Sequence, residues 1–157
     1  MCVLYVQKKS MSEKIVEIKS FSQEIYLFVC RLTNQLLPNR YSLSEEAFRA
    51  IVDSQCSHLF VMYDIDGTPV SMLTFGHYRS PTGYKAWIED VVVDEQYRGR
   101  GYGKTMVEFA INKIRDLGAE SISLTSNSSR IAANAMYKKI GFEFYETNLY
   151  KMRMLNC

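Results

Sequence analysis

No stretch of this sequence is long and apolar enough to cross a bilayer: its purely apolar runs span only a few residues, against the ~20 a membrane helix needs. Charge of one sign is lacking too. Nineteen basic residues against seventeen acidic ones leave +2, which favours neither a nucleic-acid partner nor a membrane surface. The four cysteines, Cys2, Cys30, Cys56 and Cys157, show no C-x-x-C spacing. With only His58 and His77 beside them they form no zinc-ligand set, so no metal is expected. They are expected to be free thiols in a reducing cytoplasm rather than a disulfide framework. Low complexity, repeats and linkers are also missing. A chain of 157 residues that is 47% apolar and 23% charged has the make-up of one ordinary globular domain.

That domain is expected over 11–157. Residues 1–10 read as a disordered extension, because Met11-Ser12-Glu13 resembles a natural start and the short apolar run Cys2–Val6 precedes its lysines, unlike a secretory leader. Ile15–Ile18 alternates as a half-buried strand does. Ser20 with Gln23, and Ser42 with Glu45, carry capping-box spacing ahead of helices that end at Pro38 and near Ser54. His58–Ile65 and Pro69–His77 flank Asp66-Gly67 as a hairpin, and Ser80–Gly83 turns into a strand over Lys85–Val93. Val107, Ala110, Ile111, Ile114 and Leu117 give a helical face closed by Gly118. A strand Ser121–Thr125 follows, then a helix capped by Ser128 or Ser129 and stopped by Gly141, and two strand segments within Phe142–Met154. The order β-α-α-β-β-β-α-β-α-β-β describes an α/β fold with a mixed sheet flanked by helices.

Three of the eight glycines crowd into Arg98-Gly99-Arg100-Gly101-Tyr102-Gly103-Lys104, between the strand Val91-Val92-Val93 and a helix. Glycine backbone at a helix N-terminus offers several N–H donors to one anion, so this is a phosphate cradle. A Walker loop would need glycine at position 98, where Arg98 stands. The dinucleotide pattern G-x-G-x-x-G fails as well, landing on Lys104 or Met106. What fits is R-x-x-G-x-G: Arg98, Gly101, Gly103.

That segment resembles the pyrophosphate-binding motif (Q/R-x-x-G-x-G/A) of the GNAT superfamily of acetyl-CoA-dependent N-acetyltransferases. The likeness extends over about 85–142. Trp87–Val93 resembles the family's fourth strand, and its Glu89-Asp90 pair is similar to that of glucosamine-phosphate and spermidine/spermine members. Ala133–Phe142 is similar to the signature A-x-x-x-Y-x-x-x-G-F. The resemblance implies a mostly antiparallel sheet whose fourth and fifth strands splay to admit acetyl-CoA. Val91, Val92 and Val93 would bind the pantetheine, and Gly99, Arg100, Gly101, Tyr102, Gly103 and Lys104, with Arg98, the pyrophosphate. Tyr137 takes the family's general-acid position and Glu89 that of a base in polyamine-type relatives. Helical spacing puts Arg130, Asn134 and Tyr137 on one face. Arg130 stands where many members carry asparagine, so either Asn127 would replace that contact to the pantetheine or Arg130 would instead reach a CoA phosphate.

Strand alternation puts Trp87, Glu89, Val91 and Val93 on one face, and Asp90 and Val92 on the other. Acceptor selection is expected from Leu36–Leu43 (with Pro38, Arg40 and Tyr41), from Phe75–Tyr78 and from Tyr84. The implied reaction is acetyl transfer to a primary amine, with a small-molecule substrate, no nucleic acid and no membrane; homodimerisation is left open. Protein N-terminal or lysine acetylation is the alternative within the class, and a non-catalytic CoA-binding module the alternative outside it.

Overall fold

A computed structural model describes residues 13–38, 42–152 and 154. The expectations for residues 1–10 and for Arg40 and Tyr41 lie outside the described residues. The chain divides into two compact units, Met1–Thr125 and Ser126–Cys157.

The first unit is built on a five-stranded sheet in the order β1-β2-β3-β4-β5: β1 (Lys14–Glu17), β2 (Ser57–Tyr63), β3 (Pro69–Ser80), β4 (Gly83–Val93) and β5 (Ser121–Leu124). The first four strands pair antiparallel, and β5 joins β4 in parallel. One face carries α1 (Gln23–Leu36) and α2 (Glu45–Val52). Ile25, Phe28, Val29 and Leu32, at helical i, i+3, i+4 spacing, meet Phe48, Val52, Leu59, Val61, Met72 and Val92 in one buried cluster. The opposite face packs on α3 (Tyr102–Asp116), where the Phe60 and Phe109 rings meet edge-on at 5.2 Å.

Both expected capping boxes are displaced by two residues. Ser22 caps α1, its hydroxyl accepting from the Ile25 N–H at 3.5 Å, and Ser44 caps α2 in the same way with Ala47 at 3.1 Å. Each serine lies next to the first helical residue, where its oxygen can reach the open donors two or three residues on; Ser20 and Ser42 lie too far upstream.

The second unit holds α4 (Ile131–Ile140), closed by Gly141 at φ 114°. Its N-cap is Arg130, with no side-chain cap, rather than Ser128 or Ser129. Asn127 accounts for the difference: its Oδ1 accepts from the Ser129 N–H and hydroxyl, at 2.9 and 2.8 Å, and holds both in the preceding turn. The two expected final strands do not form among the described residues after Gly141. Phe144, Tyr145, Leu149 and Tyr150 all stand exposed, so no buried face fixes a register there.

Candidate functional site

Two features of β4 create the candidate cleft. Pairing with β5 ends at Ile88↔Leu124, where β5 itself ends, while β4 runs on to Val93. At the same point the ladder with β3 slips: Thr74 faces Glu89, yet Met72 faces Val92, leaving Leu73 opposite two β4 residues. This is a β-bulge centred on Asp90, whose φ of 50° is left-handed, a conformation aspartate tolerates better than most residues. The buried Ser71 hydroxyl donates to the Val92 carbonyl at 2.8 Å and holds the far side.

The bulge overturns simple alternation. Val92 shares the α1/α2 face with Glu89, whereas Val93, opposite Ser71, turns toward α3. The extra residue shifts every side chain beyond it by one step, which a strict period of two does not anticipate. Glu89 itself is exposed at the bulge. The same register divides the aromatics expected around it. Phe75, His77 and Tyr84 lie on the α3 face, away from Glu89; Gly76 and the half-exposed Tyr78 lie on the Glu89 face. His77 is engaged structurally: its Nε2 faces His58 Nε2 at 3.1 Å and its Nδ1 the Tyr84 hydroxyl at 2.9 Å, while His58 Nδ1 meets Glu17 at 2.7 Å.

Beyond β4, a 3-10 turn over Glu95–Tyr97 leads into the glycine segment. Gly99 and Gly101 have φ of 81° and 85°, and a Cβ at either would meet nothing within 4 Å. Glycine is needed there for backbone conformation, not for space. Gly101 is the N-cap of α3 and, unlike the serines of α1 and α2, supplies no side-chain cap. The N–H groups of Tyr102, Gly103 and Lys104, the first three helical residues, have no intrahelical acceptor. Together with the helix dipole they suit a phosphate.

The side chains of the segment are mostly spoken for. Arg98 Nε donates back to the Val93 carbonyl at 3.2 Å. The Tyr102 ring is buried, and its hydroxyl donates to Asp64 Oδ1 at 3.0 Å. Arg100 pairs with Asp64 at 3.5 Å and lies 4.9 Å from the Tyr97 ring centre, and Lys104 pairs with Glu108 at 3.5 Å. Sequence reasoning missed these supports. Asp64 lies on the hairpin between β2 and β3, 36 residues from Arg100, so no local pattern marks it. Asp94 was missed likewise, although an Asp two residues before Gln96 is a legible cap for the 3-10 turn.

In the second unit, Tyr137 is buried, its ring edge-on to Phe142 at 6.0 Å. Burial pushes its hydroxyl above the ordinary tyrosine value, and the charge of Arg130 pulls it part of the way back. Asn134 Nδ2 donates to the carbonyls of Asn127 and Arg130 at 2.8 and 3.0 Å. Asn127, Arg130 and Asn134 are thereby gathered into one hydrogen-bonded entry to α4.

With this geometry in place, the comparison with known proteins is direct. The model of the acetyltransferase (GNAT) family matches residues 25–142. The chain belongs to the GNAT family. An N-alpha-acetyltransferase MAK3 from Arabidopsis thaliana is 28% identical over 86% of this chain and 70% of its own length. A spermine/spermidine N(1)-acetyltransferase from Bacillus subtilis is 31% identical, over 38% of this chain and 40% of its own. Among solved structures, a putative acetyltransferase from Agrobacterium tumefaciens superposes with a TM-score of 0.77 at 25% identity, covering 90% of this chain and 99% of that one. This GNAT chain is thus an acyltransferase of the N-acetyltransferase class, with the mixed, mostly antiparallel sheet expected of it. The family uses acetyl-CoA as cosubstrate. Among the described residues, no group of three or more His, Cys, Asp or Glu side chains could hold a metal ion, and no helix is long and apolar enough to cross a membrane.

Proposed function

We propose that this GNAT enzyme transfers the acetyl group of acetyl-CoA to a primary amine on a small molecule, by direct attack in a ternary complex. The observation that carries the reading is the stretch of β4 that runs past the end of β5, with the uncapped N-terminus of α3 following on the same connection. Strand backbone beyond the end of β5 suits the amide-bearing pantetheine arm, and left-handed glycines before open N–H donors suit a pyrophosphate. CoA supplies an activated thioester; everything else falls to the chain.

Acyl transfer to an amine requires a base for the ammonium proton, a donor for the oxyanion and an acid for the departing thiolate. Glu89 takes the amine proton, directly or through a water. An alkylammonium has a reference pKa of about 10.4, so near neutral pH most of the acceptor arrives protonated and a base must take up its proton as it attacks. Backbone groups of Val91, Val92 and Val93 hold the pantetheine and polarise the carbonyl. Gly99, Arg100, Gly101, Tyr102, Gly103 and Lys104 hold the pyrophosphate chiefly through main-chain N–H groups, because the arginine and tyrosine side chains have partners of their own. Tyr137 donates its hydroxyl proton to the leaving sulfur. Its raised pKa keeps that proton in place across the physiological range.

A small-molecule acceptor is supported by the Glu89-Asp90 pair at the bulge and by the spermine/spermidine relative. The second reading, acetylation of a protein N-terminus, is supported by the N-alpha-acetyltransferase relative, whose match covers more of this chain. Acetyl-CoA turnover with polyamines, amino sugars and short peptides, followed by free thiol release, separates the two. Turnover of peptides alone would replace the first reading with the second.

A further inference from the structure

Asp94 follows the last residue of β4 and opens the turn into the glycine segment. It is 1% exposed, one of the few buried charged side chains among the described residues. A lone carboxylate there would be costly to bury, and three groups answer it. Arg31 Nη1 forms an ion pair with Oδ2, Gln35 Nε2 donates to Oδ1 at 3.4 Å, and the Gln96 N–H donates to Oδ1 at 3.2 Å. The Asp94 N–H itself donates to the Val70 carbonyl at 2.9 Å. Gln35 adds a further tie, its Oε1 accepting from the Glu95 N–H at 3.1 Å. Burial alone would raise the Asp94 pKa, but the bonds from Arg31, Gln96 and Gln35 outweigh it and hold the carboxyl ionised.

Arg31 and Gln35 lie one turn apart on α1 and so point the same way. They grip the chain where β4 becomes the connection to α3. That connection contains two left-handed glycines, each with open space around it, so packing at the glycines does not fix its course. Its course is fixed at its ends: by Asp64 on Arg100 and Tyr102, and by Asp94 on α1.

We propose that Asp94, held by Arg31 and Gln35, is a positioning residue for the cofactor segment: the clasp sets the direction in which the N–H groups of residues 99–104 point, and so sets CoA affinity. The inference rests on the reading of that segment as the CoA site. It adds that α1, which leads into the acceptor-side loop, and the phosphate-binding segment share one carboxylate.

The test is CoA binding by calorimetry to wild type, Asp94→Asn, Arg31→Met, Arg31→Lys and Val61→Ala. Val61 is fully buried on β2, away from the segment, and serves as a control for lost stability. Asp94→Asn and Arg31→Met should raise the Kd for CoA about 10- to 100-fold, the scale on which small displacements of a binding group act. Arg31→Lys should recover part of the loss, and Val61→Ala should lower the melting temperature with Kd unchanged. Arg31 is half-exposed, so its variants report even where Asp94→Asn does not fold. If both variants melt lower but bind CoA within twofold of wild type, the clasp serves stability alone and the proposal is wrong. If wild type itself does not bind CoA, the reading of the segment fails first and takes the clasp with it.

Discussion

Replacing Gly101 tests the cradle, because the structure separates two effects that are usually confounded. A Cβ at Gly101 meets nothing within 4 Å, so the carbon that alanine and aspartate both add there has room. What both lose is ease at φ 85°. A left-handed residue with a side chain costs roughly 1–2 kcal/mol, less for aspartate than for alanine. At about 2–4 °C per kcal/mol for a chain of this size, Gly101→Ala should melt about 2–8 °C lower, and Gly101→Asp no lower than that. CoA binding should rank the two the other way. A carboxylate about 4 Å from one phosphate charge opposes it by about 1 kcal/mol in water and about 4 kcal/mol at the effective dielectric of a protein surface. At 1.4 kcal/mol per tenfold, Gly101→Asp should bind CoA about 5- to 700-fold more weakly than Gly101→Ala. Calorimetry gives the affinities and thermal unfolding the stabilities. Equal CoA affinity for the two variants would show that no phosphate sits at this helix end.

Three further outcomes follow from the same geometry. Glu89→Gln should lower turnover most near neutral pH and recover partly at higher pH, where free amine is abundant; a pH–rate profile matching wild type would remove Glu89 from the reaction. Acetyl-CoA should raise the melting temperature in a concentration-dependent way, since a ligand that binds only the folded state stabilises it. Stability should also fall as the solution is acidified through about pH 6.5, the ordinary histidine value. Burial, then the charges of His58 and Arg79, hold His77 below that value against a hydrogen bond to the Gln55 backbone that raises it. Its contribution is therefore complete above the unfolded pKa and lost as pH falls toward the folded one. His77→Gln should flatten the melting-temperature profile between about pH 7 and 5.5, and a wild-type profile already flat there would refute the assignment.

What could be read directly from the sequence was whatever local spacing encodes. The R-x-x-G-x-G segment, the hairpin turn at Asp66-Gly67 and the Gly118 and Gly141 helix ends are each set by a few neighbouring residues, and each lies where expected. The helix starts were legible as a kind but displaced, because serines at positions 20, 22, 42 and 44 all offer a hydroxyl and only the geometry selects among them. The bulge at Asp90 was not legible. It arises from the pairing of β4 with β3, and a single aspartate inside an apolar strand does not announce an inserted residue. Its consequence is that Val92 rather than Val93 shares the face of Glu89. Asp64 and the pairing of Arg31 with Asp94 were hidden for a similar reason: their bonds cross 36 to 63 residues of chain. The final segment shows the opposite failure, two strand segments expected within Phe142–Met154 where Phe144, Tyr145, Leu149 and Tyr150 stand exposed.

The central claim is chemical transfer, and Tyr137→Phe tests it most directly. The variant keeps the ring that packs on Phe142 and removes only the hydroxyl. Acetyl-CoA and a small amine, followed by release of free CoA thiol, should show wild-type turnover and a fall of about 100- to 10,000-fold in the variant, with acetyl-CoA affinity nearly unchanged. Full activity in Tyr137→Phe, or a wild type that binds CoA and releases no thiol with any amine, would contradict the account.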